Sequence, residues 1–384
     1  MTAASSTTGM PTRVIYFTSS VALDIRMFAK ECRSLARAGF DVTVVAPNSP
    51  MGPIDGVSFV NVPSASGGRL RRAVFDSARL LKVLITHRAD VYQFHDPQLL
   101  PVALLLRCLR RCVVYDVYEN VRDDVRTKPY LPRLARPVLS AIVGALEWLV
   151  GRTASHVITA TPSLALQFPS SKTTIVHNYP IIDELDADFT LDDYLARPPH
   201  GVYVGAMTVM RQAGEMFAAS DNVHGRLHDF ALVTAGPTFG IEDPGSHPGV
   251  EHKSTVPREE VPALLGSARF GISLLADEPH LSVSLPTKVY EYAAAGLPVI
   301  VSASTVTITG DVEAVGCGLV VDETDPAAIA EAMVWLLNHP REAYQMGQRG
   351  ASLVRDRYQW STEAEALVRV YRQLERRARR RSMW

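Results

Sequence analysis

Strand-length apolar runs alternate with segments of helical periodicity, and this alternation limits the possible folds more than any other feature of the sequence. The first such group has an apolar run at 13–17, a helical pattern at 24–38 and a second apolar run at 41–46. Asp24 suits the N-cap of that helix, and Gly39 suits its C-terminal stop. Strand, helix and strand in this order predict a parallel sheet with right-handed crossovers.

The same alternation continues along the chain and divides into two series. The predicted strands lie at 13–17, 41–46, 59–62, 91–94, 112–116, 157–160 and 174–176, then at 202–204, 231–234, 250–252, 270–275, 299–301 and 318–321. An acidic segment that ends in a double proline separates the two series. We therefore predict an α/β protein with two doubly wound, Rossmann-like domains that face a central cleft. The predicted first domain is residues 1–183, the linker is 184–200 and the second domain is 201–360. A C-terminal helix is predicted at 361–384, and one expected course for it is a return to the first domain.

Composition and charge exclude several classes of function. The chain has 384 residues, of which 47% are hydrophobic and 21% charged, as in globular proteins with more than one domain. A net charge of −1 argues against general nucleic-acid binding. Residues 1–11 lack the apolar core of a signal peptide, and the four cysteines form no framework. These features predict a reduced, soluble, cytoplasmic protein.

The loop after the first strand excludes one common ligand of such folds. Residues 18–23 contain no glycine. A dinucleotide-binding loop needs glycines at this position, because the backbone must approach a pyrophosphate closely. The first domain is therefore not predicted to bind NAD.

The stretch 282–302 carries the strongest functional signal. It reads SVSLPTKVYEYAAAGLPVIVS, with Pro286 where a first helical turn tolerates proline and Gly296 where the helix can end before a buried strand. Lys288 and Glu291 are three residues apart and share one face of this helix. A lysine near the N–H groups of a helix N-terminus suits a phosphate, and a glutamate one turn on suits a pair of sugar hydroxyls. The stretch therefore predicts a nucleotide site.

Polar residues follow two strands of the first series. His95 and Asp96 come after the strand at 91–94, and Tyr118 and Glu119 come after the strand at 112–116. Ligands of doubly wound sheets bind at the carboxyl ends of the strands. A lone histidine is more often structural. Two polar clusters at neighbouring strand ends make a functional role equally well supported.

Two segments raise the question of membrane contact. The predicted helix at 138–151 is apolar nearly all round, apart from a narrow stripe of Ser140, Gly144, Glu147 and Gly151. Burial against the sheet is the simpler interpretation. The alternative is an interfacial helix flanked by Arg133, Arg136 and Arg152. The arginine-rich end at 376–381 is interpreted as solvated surface, with contact to the inner face of a membrane as the alternative.

Several segments in combination resemble glycosyltransferase family four, a group of retaining enzymes with the GT-B fold. The stretch LPTKVYEYAAAGLPV at 285–299 is similar to the donor-site signature of that family and is the specific part of the match. The supporting segments are DIRMFAKE at 24–31, HDP at 95–97, YDVYE at 115–119, VHNYP at 176–180, YVG at 203–205, GCGLVV at 316–321 and YQW at 358–360. They occur in the expected order, and the resemblance covers nearly the whole chain.

The resemblance implies a role for each matching residue of the second domain. Glu291 would hold the donor ribose, and Lys288 with the backbone amides around Thr287 would bind the diphosphate. Arg211 would be a second diphosphate cation, and Gly205 would let its loop pass close to the donor. His252 would lie where the base-binding segment passes. A nucleoside-diphosphate sugar is the co-substrate in this interpretation, and no cofactor is expected.

The resemblance also implies roles in the first domain, where His95, Tyr118 and Glu119 would be catalytic and Asp24 and Asp96 would lie on the acceptor side. The acceptor is expected near the loop 18–23 and the segment 128–137. Three positions depart from the family pattern. Val283 stands where a glutamate is common, Tyr118 where histidine is common, and the loop after Met210 lacks the usual lysine beside the arginine.

The resemblance implies a retaining glycosyltransferase that moves a hexose or hexosamine to a small-molecule, polysaccharide or lipid-linked acceptor. Asp186-Ala187-Asp188 lies in the predicted linker and not at a strand end, so metal-independent chemistry with protein cations is expected. Two alternatives remain open at this point: a nucleotide-sugar epimerase of the same fold, and a non-catalytic nucleotide-sugar-binding partner. The sequence does not identify the acceptor, the donor base or the oligomeric state.

Overall fold

The computed structural model describes residues 11–63, 69–127, 132–185 and 188–382. The chain divides into two compact units, residues 1–178 with 361–384, and residues 179–360. The division falls between Asn178 and Tyr179, five residues before the predicted one. The predicted linker contains a short helix with a capping box at Thr190, and Tyr194 on that helix is fully buried, so the segment is part of the second unit. Of the Asp-x-Asp sequence, Asp186 and Ala187 lie outside the described residues.

The described residues of the first unit form a seven-stranded parallel sheet. Its strands are β1 (Arg13–Phe17), β2 (Asp41–Ala46), β3 (Val57–Asn61), β4 (Val91–Phe94), β5 (Val113–Val117), β6 (His156–Thr159) and β7 (Thr173–Ile175), in the order β3-β2-β1-β4-β5-β6-β7. The order reverses between β1 and β4, which pair in register from Val14 with Val91. At such a reversal two loops diverge and leave a crevice at the carboxyl ends of the strands, where ligands of this fold class bind.

Helices cover both faces of this sheet. They are α1 (Arg33–Arg37), α2 (Arg69–Thr86), α3 (Leu100–Cys108), α4 (Val121–Thr127), α5 (Arg136–Thr153) and α6 (Pro162–Ala165), with 3-10 turns at Pro97–Leu99 and Ser170–Lys172. The predicted first helix begins at Asp24, but its first part, Ile25–Cys32, is a π-helix and only Arg33–Arg37 is α-helical. The π-helix widens the turn around residues that form a buried ionic cluster, described below. Apolar periodicity alone does not distinguish these helix types.

The described residues of the second unit form a six-stranded parallel sheet and a two-stranded ribbon. The strands are β8 (His200–Val204), β9 (Met207–Thr208), β10 (Ala231–Ala235), β11 (Thr238–Phe239), β12 (Val250–Lys253), β13 (Phe270–Ser273), β14 (Val299–Ser302) and β15 (Gly318–Val321). The sheet order is β12-β10-β8-β13-β14-β15, and β9 pairs with β11. The ribbon extends from the carboxyl ends of β8 and β10, and the sequence pattern does not predict it.

The helices of the second unit are α7 (Leu191–Ala196), α8 (Ala213–Arg226), α9 (Val261–Gly266), α10 (Pro279–Ser282), α11 (Thr287–Ala294), α12 (Val306–Val315), α13 (Pro326–Asn338) and α14 (Pro340–Arg357). Further 3-10 turns lie at Ile182–Glu184, Val209–Arg211, Pro244–Ser246 and Arg258–Glu260. The predicted helix-to-strand stretch is present as α11 and β14. Gly296 between them has φ +69°, a left-handed conformation that favours glycine.

The last helix, α15 (Trp360–Ser382), packs in the first unit from Ser361 onward. Glu363 accepts a hydrogen bond from the His177 backbone N–H at 2.7 Å, and Thr12 Oγ1 donates to Glu375 at 2.7 Å. The buried Tyr371 hydroxyl donates to Gln93 Oε1. These bonds join residues more than 180 positions apart, and sequence periodicity carries no information about them.

Helix α5 packs against the core of the first unit through Val143, Leu146 and Val150, as the simpler interpretation predicts, but only on one side. Its polar stripe points inward: the buried Ser140 Oγ donates to the Arg122 carbonyl oxygen at 2.9 Å, and the buried Glu147 accepts from Tyr115 Oη at 2.9 Å. The opposite, apolar face is exposed. In the part of the chain that the structure describes, neither this helix nor any other is long and apolar enough to cross a membrane.

Candidate active site

Two glycines shape the carboxyl ends of β8 and β10 in the second unit. Gly205 has φ +131° and Gly236 has φ +139°, conformations that side chains rarely allow. A Cβ on Gly236 would stand 2.4 Å from the Gly205 carbonyl oxygen, so the two loops touch through their backbones. Gly205 was a predicted donor-site residue. Gly236 was not, although a glycine directly after a strand was a signal that could have identified it.

Lys288 lies against Gly205. A Cβ on Gly205 would stand 2.5 Å from Lys288 Cε and 2.7 Å from Nζ, so a side chain at this position would displace the end of the lysine side chain. The ammonium group also lies 5.4 Å from the centre of the Tyr203 ring, within the range of a cation–π contact. The structure therefore brings Gly205 and Lys288 together, as predicted, although 83 residues separate them in the chain.

Lys288 and Arg211 form a positively charged group at this strand end. Burial and the nearby Arg211 together lower the pKa of Lys288 to about 8, and Glu291 opposes the shift. Among the described residues, no carboxylate lies within ion-pair distance of Lys288 or Arg211. Two cations held together without an acid favour the binding of an anion, because an anion relieves their mutual repulsion. Arg211 ends the 3-10 turn Val209–Arg211 and precedes Gln212, whose φ is +50°.

The N-terminus of α11 adds backbone donors beside Lys288. Thr287 is the first residue of this helix, and Pro286 before it provides no capping side chain. The first N–H groups of a helix have no partner within the helix, and they carry its positive dipole end. Thr287 and Lys288 therefore lie where an oxyanion would be stabilised, which is the arrangement predicted from 282–302.

Glu291 lies one turn further along α11 and has a protein partner. Arg258 NH1 is 3.5 Å from Glu291 Oε1, and the same guanidinium contacts Glu184 Oε2 through Nε at 2.9 Å and NH2 at 2.7 Å. The side chain of Glu291 is 17% exposed. Sequence reasoning missed Arg258 and Glu184 as site residues, because the first lies at the start of a helix predicted at 258–267 and the second in the predicted linker. Arg258 fixes the position of Glu291 and remains at the edge of the site.

His252 lies on β12, two strands away from β8. Its Nδ1 is 3.0 Å from Thr234 Oγ1 on β10, and the ring is partly exposed. This places His252 near the carboxyl ends of β10 and β12. These strands lie on one side of β8 in the sheet, and β13 and β14, which α11 connects, lie on the other. The geometry is compatible with the predicted contact to a donor base.

The predicted residues of the first unit form a second cluster, around His95 and Asp96. Asp96 Oδ2 accepts hydrogen bonds from Thr18 Oγ1 at 2.6 Å and from the Ser19 backbone N–H at 2.7 Å, so it fixes the glycine-free loop. His95 is buried; its Nδ1 lies 3.3 Å from Tyr16 Oη and its Nε2 lies 3.4 Å from Asp96 Oδ1. Both ring nitrogens therefore face protein oxygens, as in a residue that supports the loop.

Tyr118 is the member of this cluster that presents an unused polar group. Its ring lies 5.3 Å from the His95 ring, and the Arg26 guanidinium lies 6.0 Å from its centre. Burial raises the pKa of Tyr118, and the neighbouring carboxylates, first Glu119, raise it further, so the hydroxyl stays neutral. The hydroxyl makes no hydrogen bond to any described residue. Glu119 beside it is exposed.

A buried ionic cluster below Tyr118 was not predicted. Arg26 donates to both oxygens of Asp116, at 3.0 and 2.7 Å, and its NH2 lies 3.3 Å from Glu31 Oε1. Two carboxylates share one guanidinium, and burial together with Asp116 raises the pKa of Glu31. Asp24 caps the helix above them, with Oδ1 accepting from the Met27 N–H at 2.9 Å. Asp24 is thus confirmed as the N-cap, whereas its predicted acceptor contact stays a prediction.

The fold and this chemistry define a class of protein: two doubly wound units, one of which has a group of cations beside a helix N-terminus at the carboxyl edge of its sheet. Two family models match the chain, Glycosyltransferase Family 4 at residues 26–178 and Glycosyl transferases group 1 at residues 198–339. Together they match most of its length. The chain therefore belongs to the family-four glycosyltransferases with the GT-B fold, and it is a glycosyltransferase.

Solved structures with the same fold cover almost the whole chain. Sucrose-phosphate synthase from Thermosynechococcus elongatus has a TM-score of 0.71 at 14% identity, over 94% of this chain and 99% of its own. WaaG, a glycosyltransferase involved in lipopolysaccharide biosynthesis, has a TM-score of 0.70 at 15% identity, over 93% of this chain and 99% of its own. The Anabaena protein Alr3699/HepE in complex with UDP and glucose has a TM-score of 0.69 at 11% identity, over 94% of this chain and 100% of its own. A comparison with curated protein sequences found no match. The predicted fold class is confirmed.

Proposed function

We propose that this glycosyltransferase transfers a hexose or hexosamine from a nucleoside-diphosphate sugar with retention of configuration and without a metal ion. The observation that carries the proposal is the pair of cations, Lys288 and Arg211, that has no carboxylate partner among the described residues and lies beside the N-terminus of α11. A diphosphate is negatively charged and would neutralise these two cations. Similar structures contain UDP or UDP-glucose, which supports a nucleotide-sugar donor here.

The donor is oriented by the remaining residues of the second unit. Gly205 leaves the space through which Lys288 reaches the strand end, and Glu291, fixed by Arg258, is one helical turn away. A carboxylate at this distance from a diphosphate site can accept hydrogen bonds from the two ribose hydroxyls. His252 lies on a neighbouring strand and would contact the base.

In the proposed reaction, the bond between the anomeric carbon and the diphosphate oxygen breaks while the acceptor oxygen bonds to the same carbon from the same face. The acceptor proton moves to an oxygen of the departing diphosphate. Lys288, Arg211 and the α11 backbone amides stabilise the negative charge that develops on the leaving group, which lowers the barrier to bond cleavage. Metal independence follows from this supply of protein cations. The neutral Tyr118 hydroxyl is the group of the first unit that we assign to the sugar or acceptor.

The experiment that tests the proposal is turnover with a panel of UDP-, GDP- and ADP-sugars, measured as release of the nucleoside diphosphate with and without EDTA. Acceptors should include sugar phosphates, oligosaccharides and lipid-linked sugars. The anomeric configuration of the product is then read by NMR. We expect release with one donor, unchanged by EDTA, and a product with the configuration of the donor.

Other outcomes would refute separate parts of the proposal. Inversion at the anomeric carbon would refute retention, and complete loss of release in EDTA would refute metal independence. Conversion of the donor sugar without transfer would indicate an epimerase. Binding of a nucleotide sugar without release under any acceptor would refute the assigned transfer chemistry.

A further inference from the structure

Helices α3 and α5 form one outer surface of the first unit. They pack side by side, and Arg107 of α3 donates to the carbonyl oxygen of Thr153 at the end of α5 at 2.7 Å. Both helices connect parallel strands, so both run from the carboxyl edge of the sheet back to its amino edge. An 18-residue helix such as α5 spans about 27 Å. Helix α3, with nine residues, lies beside part of this length.

The outer side of α5 is apolar. Its exposed side chains recur at three- and four-residue spacing, and the large ones are Val138, Ile142, Trp148 and Leu149, with exposures of 60, 51, 54 and 40%. The polar residues Ser140 and Glu147 are buried on the inner side. The inner side also contains Val143, Leu146 and Val150, so α5 has apolar residues on both sides, whereas an ordinary surface helix has a polar outer side. A contiguous exposed apolar stripe of this kind is typical of a surface that binds a partner or a membrane.

The neighbouring residues continue this apolar surface. Leu105 on α3 and Leu109, the residue after this helix, are 49 and 52% exposed, and Leu134 in the turn before α5 is 93% exposed. We call the exposed side chains of α3, α5 and this turn the outer apolar face. It is larger than a set of scattered surface leucines, because its members belong to adjacent helices and share one side.

The exposed charges on α3, α5 and the turns that flank them have a single sign, and Asp123 on the neighbouring α4 lies 3.6 Å from Arg126. Arg133 lies at its carboxyl-edge end, and Arg110 and Arg152 lie at its amino-edge end; all three side chains are exposed. Arg152 stacks on Trp148, with its guanidinium 4.1 Å from the ring centre. Within the described residues 97–112 and 132–155, the one carboxylate is Glu147, and it is buried. A partner of this face must therefore be apolar and negatively charged.

We propose that the outer apolar face binds the surface of an anionic lipid bilayer. The apolar stripe would enter the boundary between headgroups and acyl chains, and the arginines at both ends would contact lipid phosphates. Trp148 with Arg152 suits this boundary, since the ring is amphipathic and the guanidinium stays in water. A second copy of the chain fits less well, because two such faces would bring arginines together with no acid to pair them.

This mode of binding has a consequence for the acceptor. Helix α5 begins at the carboxyl edge of the sheet, the edge at which Tyr118 and His95 lie. A protein bound through α5 would hold that edge close to the lipid headgroups. An acceptor anchored in the bilayer would then be near Tyr118 without leaving the membrane.

The proposal is tested by cosedimentation of the full chain with vesicles of phosphatidylcholine alone or in an equimolar mixture with phosphatidylglycerol. We expect binding to the mixed vesicles to be stronger by about tenfold or more and to weaken with added salt. The double variant Ile142→Gln, Trp148→Gln should lose about tenfold or more of this binding. The triple variant Arg110→Gln, Arg133→Gln, Arg152→Gln should lose the preference for phosphatidylglycerol.

Matched controls come from the second unit. Val306 is 64% exposed, and Arg341 and Arg355 are exposed. Substituting these three with Gln should leave vesicle binding unchanged. Brominated lipids should quench the fluorescence of the bound wild type, and Trp148→Phe should remove that quenching while retaining binding. Thermal unfolding midpoints within the range of the wild type show that each variant is folded, independently of any transferase activity.

Three results would overturn the proposal. The first is a wild-type chain that binds neither kind of vesicle. The second is a folded Ile142→Gln, Trp148→Gln variant that binds as the wild type does. The third is a dimer, seen by light scattering, that the same variant dissociates, because the face would then bind a second copy of the chain.

Discussion

The two units have the same architecture but treat charge differently at the carboxyl edges of their sheets. In the first unit, the buried charges have protein partners: Asp96 binds the loop after β1, and Arg26 binds Asp116 and lies beside Glu31. In the second unit, Lys288 and Arg211 lie together without a carboxylate partner in the described part of the chain. The charges at the first edge are therefore balanced within the protein, whereas the positive charges at the second edge would be balanced by an anionic ligand.

The difference shows why similar folds can divide the work of one reaction. A buried network that is already neutral holds its side chains in place but offers little binding energy to a charged ligand. Cations without partners do the opposite, since they lower the stability of the empty site and gain from an anion. Four predictions test this contrast, ordered from the largest expected effect to the smallest.

Lys288→Ala should cause the largest loss, about 10²- to 10³-fold in turnover number, because it removes a cation from the departing diphosphate. Binding of the nucleoside diphosphate should weaken as well, with a smaller dependence on salt. Steady-state kinetics and calorimetry measure both quantities. Lys253→Ala on β12 is the matched control, since that lysine is exposed and lies 3.6 Å from Glu251. Equal losses in both variants would contradict the assignment of Lys288 to the site.

Glu291→Ala should lower kcat/KM by about 10- to 100-fold, since the ribose would lose a charged hydrogen-bond acceptor. Glu184→Gln should have a smaller effect, a few-fold rise in the donor KM with kcat retained, because it weakens only the group that fixes Arg258. Glu313→Ala on the exposed side of α12 is the control. Unchanged kinetics in Glu291→Ala would remove Glu291 from the donor site.

The affinity for a nucleoside diphosphate should fall as pH rises above about 8. Burial and Arg211 lower the pKa of Lys288 to about 8, so the empty site loses its ammonium charge above that pH. A bound diphosphate stabilises the ammonium form, so affinity is full below pH 8 and decreases by up to about tenfold per pH unit above it. Calorimetry measures the dissociation constant of the nucleoside diphosphate between about pH 7 and 9.5, which is roughly the range in which this lysine titrates. Lys288→Arg should abolish the dependence, and a similar slope in that variant would contradict the assignment.

Glu31→Gln should stabilise the protein at high pH by about 1 kcal/mol, the scale of single buried substitutions. Burial and Asp116 raise the pKa of Glu31 in the folded state. Folding therefore favours the protonated acid, and wild-type stability decreases as pH rises from the ordinary carboxyl range through the folded-state pKa. Urea unfolding at pH 5 and pH 8 should show a larger gain for the variant at pH 8. An equal gain for Glu365→Gln, on the exposed side of α15, would show that the effect is not specific to the buried cluster.

The sequence determined much of the fold because local patterns specify local structure. Apolar runs and helical periodicity predicted the strands of both sheets, and the Pro286 and Gly296 positions predicted α11 and β14 correctly. Local patterns failed where two different structures have the same sequence pattern, such as an α-helix and a π-helix, or a linker and a short packed segment. The π-helix at Ile25–Cys32 and the folded segment around Tyr194 are both cases of this kind.

The candidate site divides along the same line. Lys288, Thr287 and Glu291 could be predicted together because they share one helical turn. The Arg258 partner of Glu291 and the contact between Gly205 and Gly236 could not, since each joins residues from separate loops. Only the chain's path in space brings such groups together.

By itself, the sequence determined that this chain folds as two doubly wound units and that Lys288 and Glu291 share one turn of α11, because helix spacing and termini are properties of adjacent residues. The tertiary structure decided which charges are neutralised and which apolar side chains remain exposed. The stripe of α5 illustrates this most clearly: its composition is the same whether it faces the sheet or water, and packing against Tyr115 and Arg122 turned its polar side inward.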